Sequence, residues 1–158
     1  MPKAGRAALA LVVAAAVLVA MAWFDTTVVR EAEQRARALF DSGQATLLLS
    51  LGSLATAGSV LLLAWLAWSS RSVAVGVIYL VAGGFFALLP WILSSFATYR
   101  NDVPPLLPDP LAIAVSNLYM ATIGPINAVG IIGAGMAIAG VAVITRSFRE
   151  RTGSPVLR

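Results

Sequence analysis

The chain has neither cysteine nor histidine anywhere in its 158 residues. Those gaps remove disulfides, thiol redox chemistry and every metal site built on thiolate or imidazole. They also exclude histidine-dependent hydrolase and phosphatase mechanisms, which need an imidazole to carry a proton near neutral pH. Lysine occurs once, at Lys3, so a Ser–Lys dyad would have to form at the very start of the chain. Charge of either sign is scarce: 11% of residues are Asp, Glu, Lys or Arg, against roughly a quarter in soluble domains. No pair of acids lies inside an apolar stretch, which leaves an intramembrane aspartyl mechanism without candidates. No glycine-rich phosphate loop, metal-ligand spacing or internal repeat is found either. No catalytic, cofactor-binding or metal residue is therefore assigned.

What the chain has instead is apolar sequence. Its hydrophobic share is 59% and its mean hydropathy +0.89, which places it in the membrane class. Net charge is +4 and the isoelectric point about 10.4. A basic chain raises nucleic acid as a partner, but these basic residues are few and flank apolar runs. They read as topology signals and contacts to anionic headgroups, with Arg71, Arg146, Arg149 and Arg151 the candidate lipid contacts. Nucleic acid is not expected. The basic set is almost all arginine, which points to a GC-rich, bacterial genome.

Pro110 to Thr145 is the longest apolar run, interrupted once at Gly124-Pro125. As one helix it would measure about 54 Å at ~1.5 Å per residue, far beyond the ~30 Å hydrocarbon core. Pro125 supplies a break, because it has no N–H and its ring collides with the carbonyl four residues earlier. Residues 126–145 then span by themselves. Asp109-Pro110 opens a shorter helix, 110–123, at the outer surface, either interfacial or re-entrant. The polar side chains around the break (Asn117, Tyr119, Thr122 and Asn127) are a possible ligand or packing site.

Three further spans are expected. Lys3 and Arg6 precede an apolar run from Ala7 to Trp23-Phe24. Its length and aromatic end favour a first span, 7–24, over a signal peptide cleaved after Ala20-Met21-Ala22. Residues 45–68 form the second span, with Ser50, Ser53, Thr56 and Ser59 at three-residue steps and Trp65 and Trp68 at its end. Ser69 to Ser72 is a tight connection to the third span, 73–96, which carries Pro90 near its outer end. Small residues at Ser53, Gly76, Gly83, Gly130, Gly133 and Gly140 are expected to let helices approach closely.

Between the first two spans lies the only charge-rich stretch inside the chain. Val28, Val29, Ala32, Ala36, Leu39 and Phe40 recur at helical spacing, which predicts an outer amphipathic helix over 27–40. Asp25, Thr26 or Thr27 caps its start, and Asp41-Ser42-Gly43 ends it. Glu31 with Arg35 and Glu33 with Arg37 pair across one turn. The loop from Thr98 to Asp109, with Pro104, Pro105 and Pro108, is expected to be a stiff connector.

With both termini inside, the inner side holds Lys3, Arg6, Arg71, Arg146, Arg149, Arg151 and Arg158. The outer side holds only Arg30, Arg35, Arg37 and Arg100, so the positive-inside rule gives N-in, C-in. The expectation is an all-α membrane protein, one domain over 1–158. It is a bundle of four transmembrane helices with an outer amphipathic helix and a Gly-Pro break before the last span. The function expected is non-enzymatic: a structural or accessory subunit, or a scaffold, in a plasma-membrane complex. Its partners would be the lipid bilayer and another membrane protein or a second copy. The alternative is a binder of a small lipophilic molecule, a lipid or quinone, in a cavity near the break.

Overall fold

The structure is a computed structural model that describes residues 3–39, 43–98 and 109–152. Every described element is helical. Helix α1 (Lys3–Trp23) passes through a π-helical turn (Phe24–Val29) directly into α2 (Arg30–Leu39). Helices α3 (Gly43–Ser70), α4 (Val73–Thr98), α5 (Asp109–Thr122) and α6 (Ala128–Thr152) follow. Four stretches are long and apolar enough to cross a membrane: Ala4–Leu39, Gly43–Ser70, Val73–Ser95 and Ala128–Glu150. The chain is a small, multi-span helical membrane protein.

The helix over 30–39 does not start afresh, as capping by Asp25, Thr26 or Thr27 would require. Thr26 Oγ1 turns back to accept its place in the preceding helix, donating to the Ala22 carbonyl at 2.7 Å. Nothing between Trp23 and Arg30 is a helix breaker, so the backbone continues and absorbs one wide turn. The carboxylate of Asp25 is used elsewhere. The Asp41-Ser42 part of the expected helix stop and the proline loop at 99–108 lie outside the described residues.

Helix α6 is the central element. Half of its most apolar stretch (50%) is buried, against 17% for α1 and for α3. Its Ala128, Ile132, Met136, Ala139 and Val143 meet Leu63, Leu66 and Ala67 of α3, Val75 and Tyr79 of α4, and Ala10 and Ala14 of α1. In lipid no hydrophobic force drives helices together, so close fit has to do it. Along α4 and α6 it comes from glycine. A Cβ on Gly83 would lie 2.6 Å from the Gly133 carbonyl oxygen, and one on Gly133 would lie 2.7 Å from the Ala87 nitrogen. Further along, a Cβ on Gly140 would lie 2.6 Å from the Leu80 nitrogen. The two backbones are therefore in direct contact. Tyr79 adds a polar tie, its buried hydroxyl donating to the Ala10 carbonyl at 3.0 Å.

The turn between α3 and α4 is short. Ser70 is buried and its Oγ donates to the Ala67 carbonyl at 2.7 Å. Arg71 takes a left-handed conformation, φ 50°, which reverses the chain, and the Gly76 N–H donates to the Ser72 carbonyl at 3.1 Å as α4 begins. Pro90 lies within α4, which runs on to Thr98.

Candidate functional site

Between Thr122 and Ala128 the chain leaves helical geometry. The Asn127 N–H donates to the Gly124 carbonyl at 3.0 Å, closing a turn with Pro125 at its second position, where a fixed φ is favourable. Breaking a helix creates two sets of orphaned groups: carbonyls at the end of α5 and N–H groups at the start of α6. Low-dielectric surroundings make both expensive to leave unmade.

One stretch of the same chain, at the end of α1, reaches into both sets. Asp25, in the π turn, is only 1% exposed. Its Oδ1 accepts from the Ile126 N–H at 2.9 Å and its Oδ2 from the Ala128 N–H at 2.9 Å. Arg30, five residues on, donates through Nη1 to the Met120 carbonyl at 2.6 Å and through Nη2 to the Ile123 carbonyl. An anion thus sits at the N-terminus of α6 and a cation at the C-terminus of α5, each the sign the helix dipole favours. Among the described residues the two charges form no ion pair with each other. They hold opposite sides of the break.

The fit depends on Gly124 and on the π turn. A Cβ at Gly124 would lie 2.6 Å from the Asp25 backbone carbon, so only glycine admits this approach. On the far side, Ile126 and Phe24 press against Gly52 of α3. Asn127 adopts φ 55°, and its carbonyl accepts the first bond of α6, from the Ile131 N–H at 3.1 Å. The Asn127 side chain folds back over Gly130, and its Oδ1 is buried with no hydrogen-bond partner among the described residues.

Depth follows from helix length. Lys3 to Asp25 is about 33 Å along α1, and Arg146 back to Ala128 about 27 Å along α6, at ~1.5 Å per residue. The clamp therefore lies about one hydrocarbon thickness from the basic end of the bundle. Trp23 and Trp91 are exposed near that level, and Trp65 and Trp68 near the other, an arrangement of two aromatic belts. Helix α2 projects beyond. Its pairs, Arg35 with Glu31 at 3.1 Å and Arg37 with Glu33, are exposed and contribute little.

The four polar residues singled out around the break do not form one constellation. Thr122 Oγ1 donates to the Leu118 carbonyl of its own helix at 2.7 Å. Tyr119 is half-buried, and Asn127 is the residue just before α6. Asn117 lines an open groove of about 610 Å³ between α1 and α5, with Val19, Ala22, Trp23, Thr26, Thr27 and Met120. Of the packing residues, Gly76, Gly83, Gly133 and Gly140 lie on the α4–α6 seam. Gly130 instead accommodates the Asn127 side chain, and Ser53 is exposed on α3, its Oγ donating to the Leu49 carbonyl at 2.8 Å. Arg71, Arg146 and Arg149 sit at the basic end, and Arg151 is in the last turn of α6 with its side chain outside the described residues.

Sequence reasoning did not find the clamp. Asp25 and Arg30 were legible only as a helix cap and an outer charge, and nothing local ties them to residues about 100 positions later. The described charged groups at the break accept hydrogen bonds from backbone N–H groups and donate them to backbone carbonyls. Among the described residues no group of three His, Cys, Asp or Glu is placed to hold a metal ion. Comparison with protein-family models, with curated proteins and with solved structures finds no match to this chain.

Proposed function

We propose that this chain is a non-catalytic, structural or accessory subunit, which docks to another membrane protein, or to a second copy of itself, through the outward face of α3. The observation that carries this reading is a notch on that face. Ser50, Ser53 and Ala57 are exposed, and a Cβ on Gly58 would meet nothing within 4 Å. Leu54 and Leu61 beside them are 70% and 71% exposed. Small residues flanked by leucines suit close approach of a further helix. The hydroxyls of Ser50 and Ser53 already bond carbonyls one turn back, so the face is stable in lipid until a neighbour arrives.

The proposed topology is N-in and C-in within a plasma membrane. Arg6, Arg71, Arg146 and Arg149 then lie on the cytoplasmic side, and the Asp25–Arg30 clamp and α2 on the outer side. Native mass analysis of the mildly solubilised chain tests the docking reading. A partner or a second copy is expected to be retained, and to be lost on Gly58→Ile or Ser53→Ile while the monomer stays folded. A lone monomer in mild detergent, unchanged by either substitution, would contradict it.

A second reading rests on the α1–α5 groove. It lies at the level of Trp23 and combines Trp23 and Met120 with the amide of Asn117, the mix that orients an amphiphile. A lipid or quinone retained through purification and lost on Asn117→Leu would support it. Retention unaffected by that change would count against it.

A further inference from the structure

At the basic end of the bundle, the last turn of α3 and the last turns of α6 enclose a groove of about 690 Å³. Its walls are Trp68, Ala142, Thr145, Arg146, Arg149 and Glu150. The Arg146 guanidinium carbon lies 4.5 Å from the centre of the Trp68 ring, and its Nε donates to Glu150 Oε1 at 2.7 Å. That cation is held on two sides before any ligand arrives. Arg149, nearly one turn on, is exposed and forms no ion pair among the described residues. Arg71 stands exposed at the adjacent turn between α3 and α4. Two arginines against one glutamate leave the groove cationic, and Arg71 adds to the surplus.

The layering has a direction. Trp68 and Ala142 are the apolar part, nearer the middle of the bundle, while Arg146 and Arg149 form the rim beyond it. A phospholipid has the same order, with acyl chains below and a phosphodiester above. We propose that this groove binds the headgroup of an anionic glycerophospholipid from the surrounding leaflet. Arg149 takes the phosphate oxygens, Arg146 braced by Trp68 and Glu150 supplies the second positive charge, and an acyl chain lies along Trp68 and Ala142. Guanidinium suits this role because its planar fork matches two phosphate oxygens at once. A zwitterionic headgroup fits less well, because its ammonium needs a carboxylate and Glu150 is already engaged by Arg146. The site takes from the proposed function only that this end lies at the membrane surface, and it needs no protein partner.

The test uses the full chain in mild detergent, titrated with phosphatidylglycerol or phosphatidylcholine, with bound lipid counted by native mass spectrometry. Wild type is expected to prefer phosphatidylglycerol by about tenfold. Arg149→Gln, which removes an exposed side chain that forms no ion pair among the described residues, is expected to cut that preference about fivefold, the weight of one charge at a membrane surface. Arg146→Gln combined with Arg149→Gln should abolish it. Arg35→Gln combined with Arg37→Gln removes the same charge from the opposite end and should leave it intact. Preference absent in wild type, kept in R149Q, or lost equally in the outer double variant would overturn the proposal. Competition by the deacylated headgroup, glycerophosphoglycerol, at the lipid's own concentration would also overturn it, since the site would then recognise a soluble phosphodiester.

Discussion

The α4–α6 seam and the Asp25–Arg30 clamp hold the same helix by opposite means. Along the seam, four glycines remove side chains so that two backbones touch, and dispersion over many atoms does the work. At the clamp, two charged side chains reach into a gap in the backbone and replace bonds that the helix has lost. The seam is extended, with each contact small. The clamp is local, with each bond charge-assisted and roughly twice as strong as a neutral one. The seam is spoiled by adding atoms and the clamp by removing its charged groups, which gives the comparison its tests.

The largest effect is expected at the seam. Gly83→Leu places a side chain where the Gly133 carbonyl oxygen would be 2.6 Å from its Cβ. The neighbour there is backbone, not a flexible tip, so α4 and α6 must separate. A loss of more than about 3 kcal/mol is expected, enough to remove a folded peak in size-exclusion chromatography. Asp25→Ala comes next, with about 3 kcal/mol lost, because two N–H groups at the start of α6 are left buried without acceptors. Denaturant titration in detergent measures it, and Asp25→Asn should recover part of the loss because one side-chain oxygen remains.

Arg30→Gln is expected to cost less, about 1–2 kcal/mol, since its site is partly exposed and water can reach the α5 carbonyls. The same titration would show this as a smaller midpoint shift than Asp25→Ala; a larger one would reverse the ranking of the two charges. The smallest change sharpens the seam's side of the comparison. Gly58→Leu adds the same bulk to a glycine with nothing within 4 Å, so the isolated bundle should be unaffected or gain up to about 1 kcal/mol in helix propensity. If Gly58→Leu unfolds the protein as Gly83→Leu does, glycine spacing alone, and not contact, is what matters.

The two regions also differ in how far the sequence reveals them. Gly76, Gly83, Gly133 and Gly140 advertise themselves by step size, because helical period converts spacing into a face. Four long apolar helices were likewise legible from hydropathy, since bilayer thickness sets their length. Gly130 and Ser53 carry the same composition signal but face the Asn127 side chain and the outside, so small size shows where approach is permitted, not where it occurs. The clamp has no periodic signature. Asp25 looks like a helix cap, and it is one, but the helix it caps begins about 100 residues later. Spacing within one segment carries no information about which distant backbone will need its carboxylate. Continuity through the π turn was hidden for the same reason, because Asp25 and Thr26 prefer helix starts when their side chains have no other partner.

Amide hydrogen exchange at the break tests the clamp most directly. Slow exchange is expected at Ile126 and Ala128 in the wild type. Acceleration of about tenfold or more is expected at one of those two amides in Asp25→Asn, the one that faces the new NH2 group, one lost hydrogen bond being worth about 1.4 kcal/mol. Amides from Gly133 to Gly140, on the glycine seam, should keep their wild-type rates. Fast exchange at Ile126 and Ala128 in the wild type, or rates there that ignore the substitution, would show that Asp25 does not hold the break.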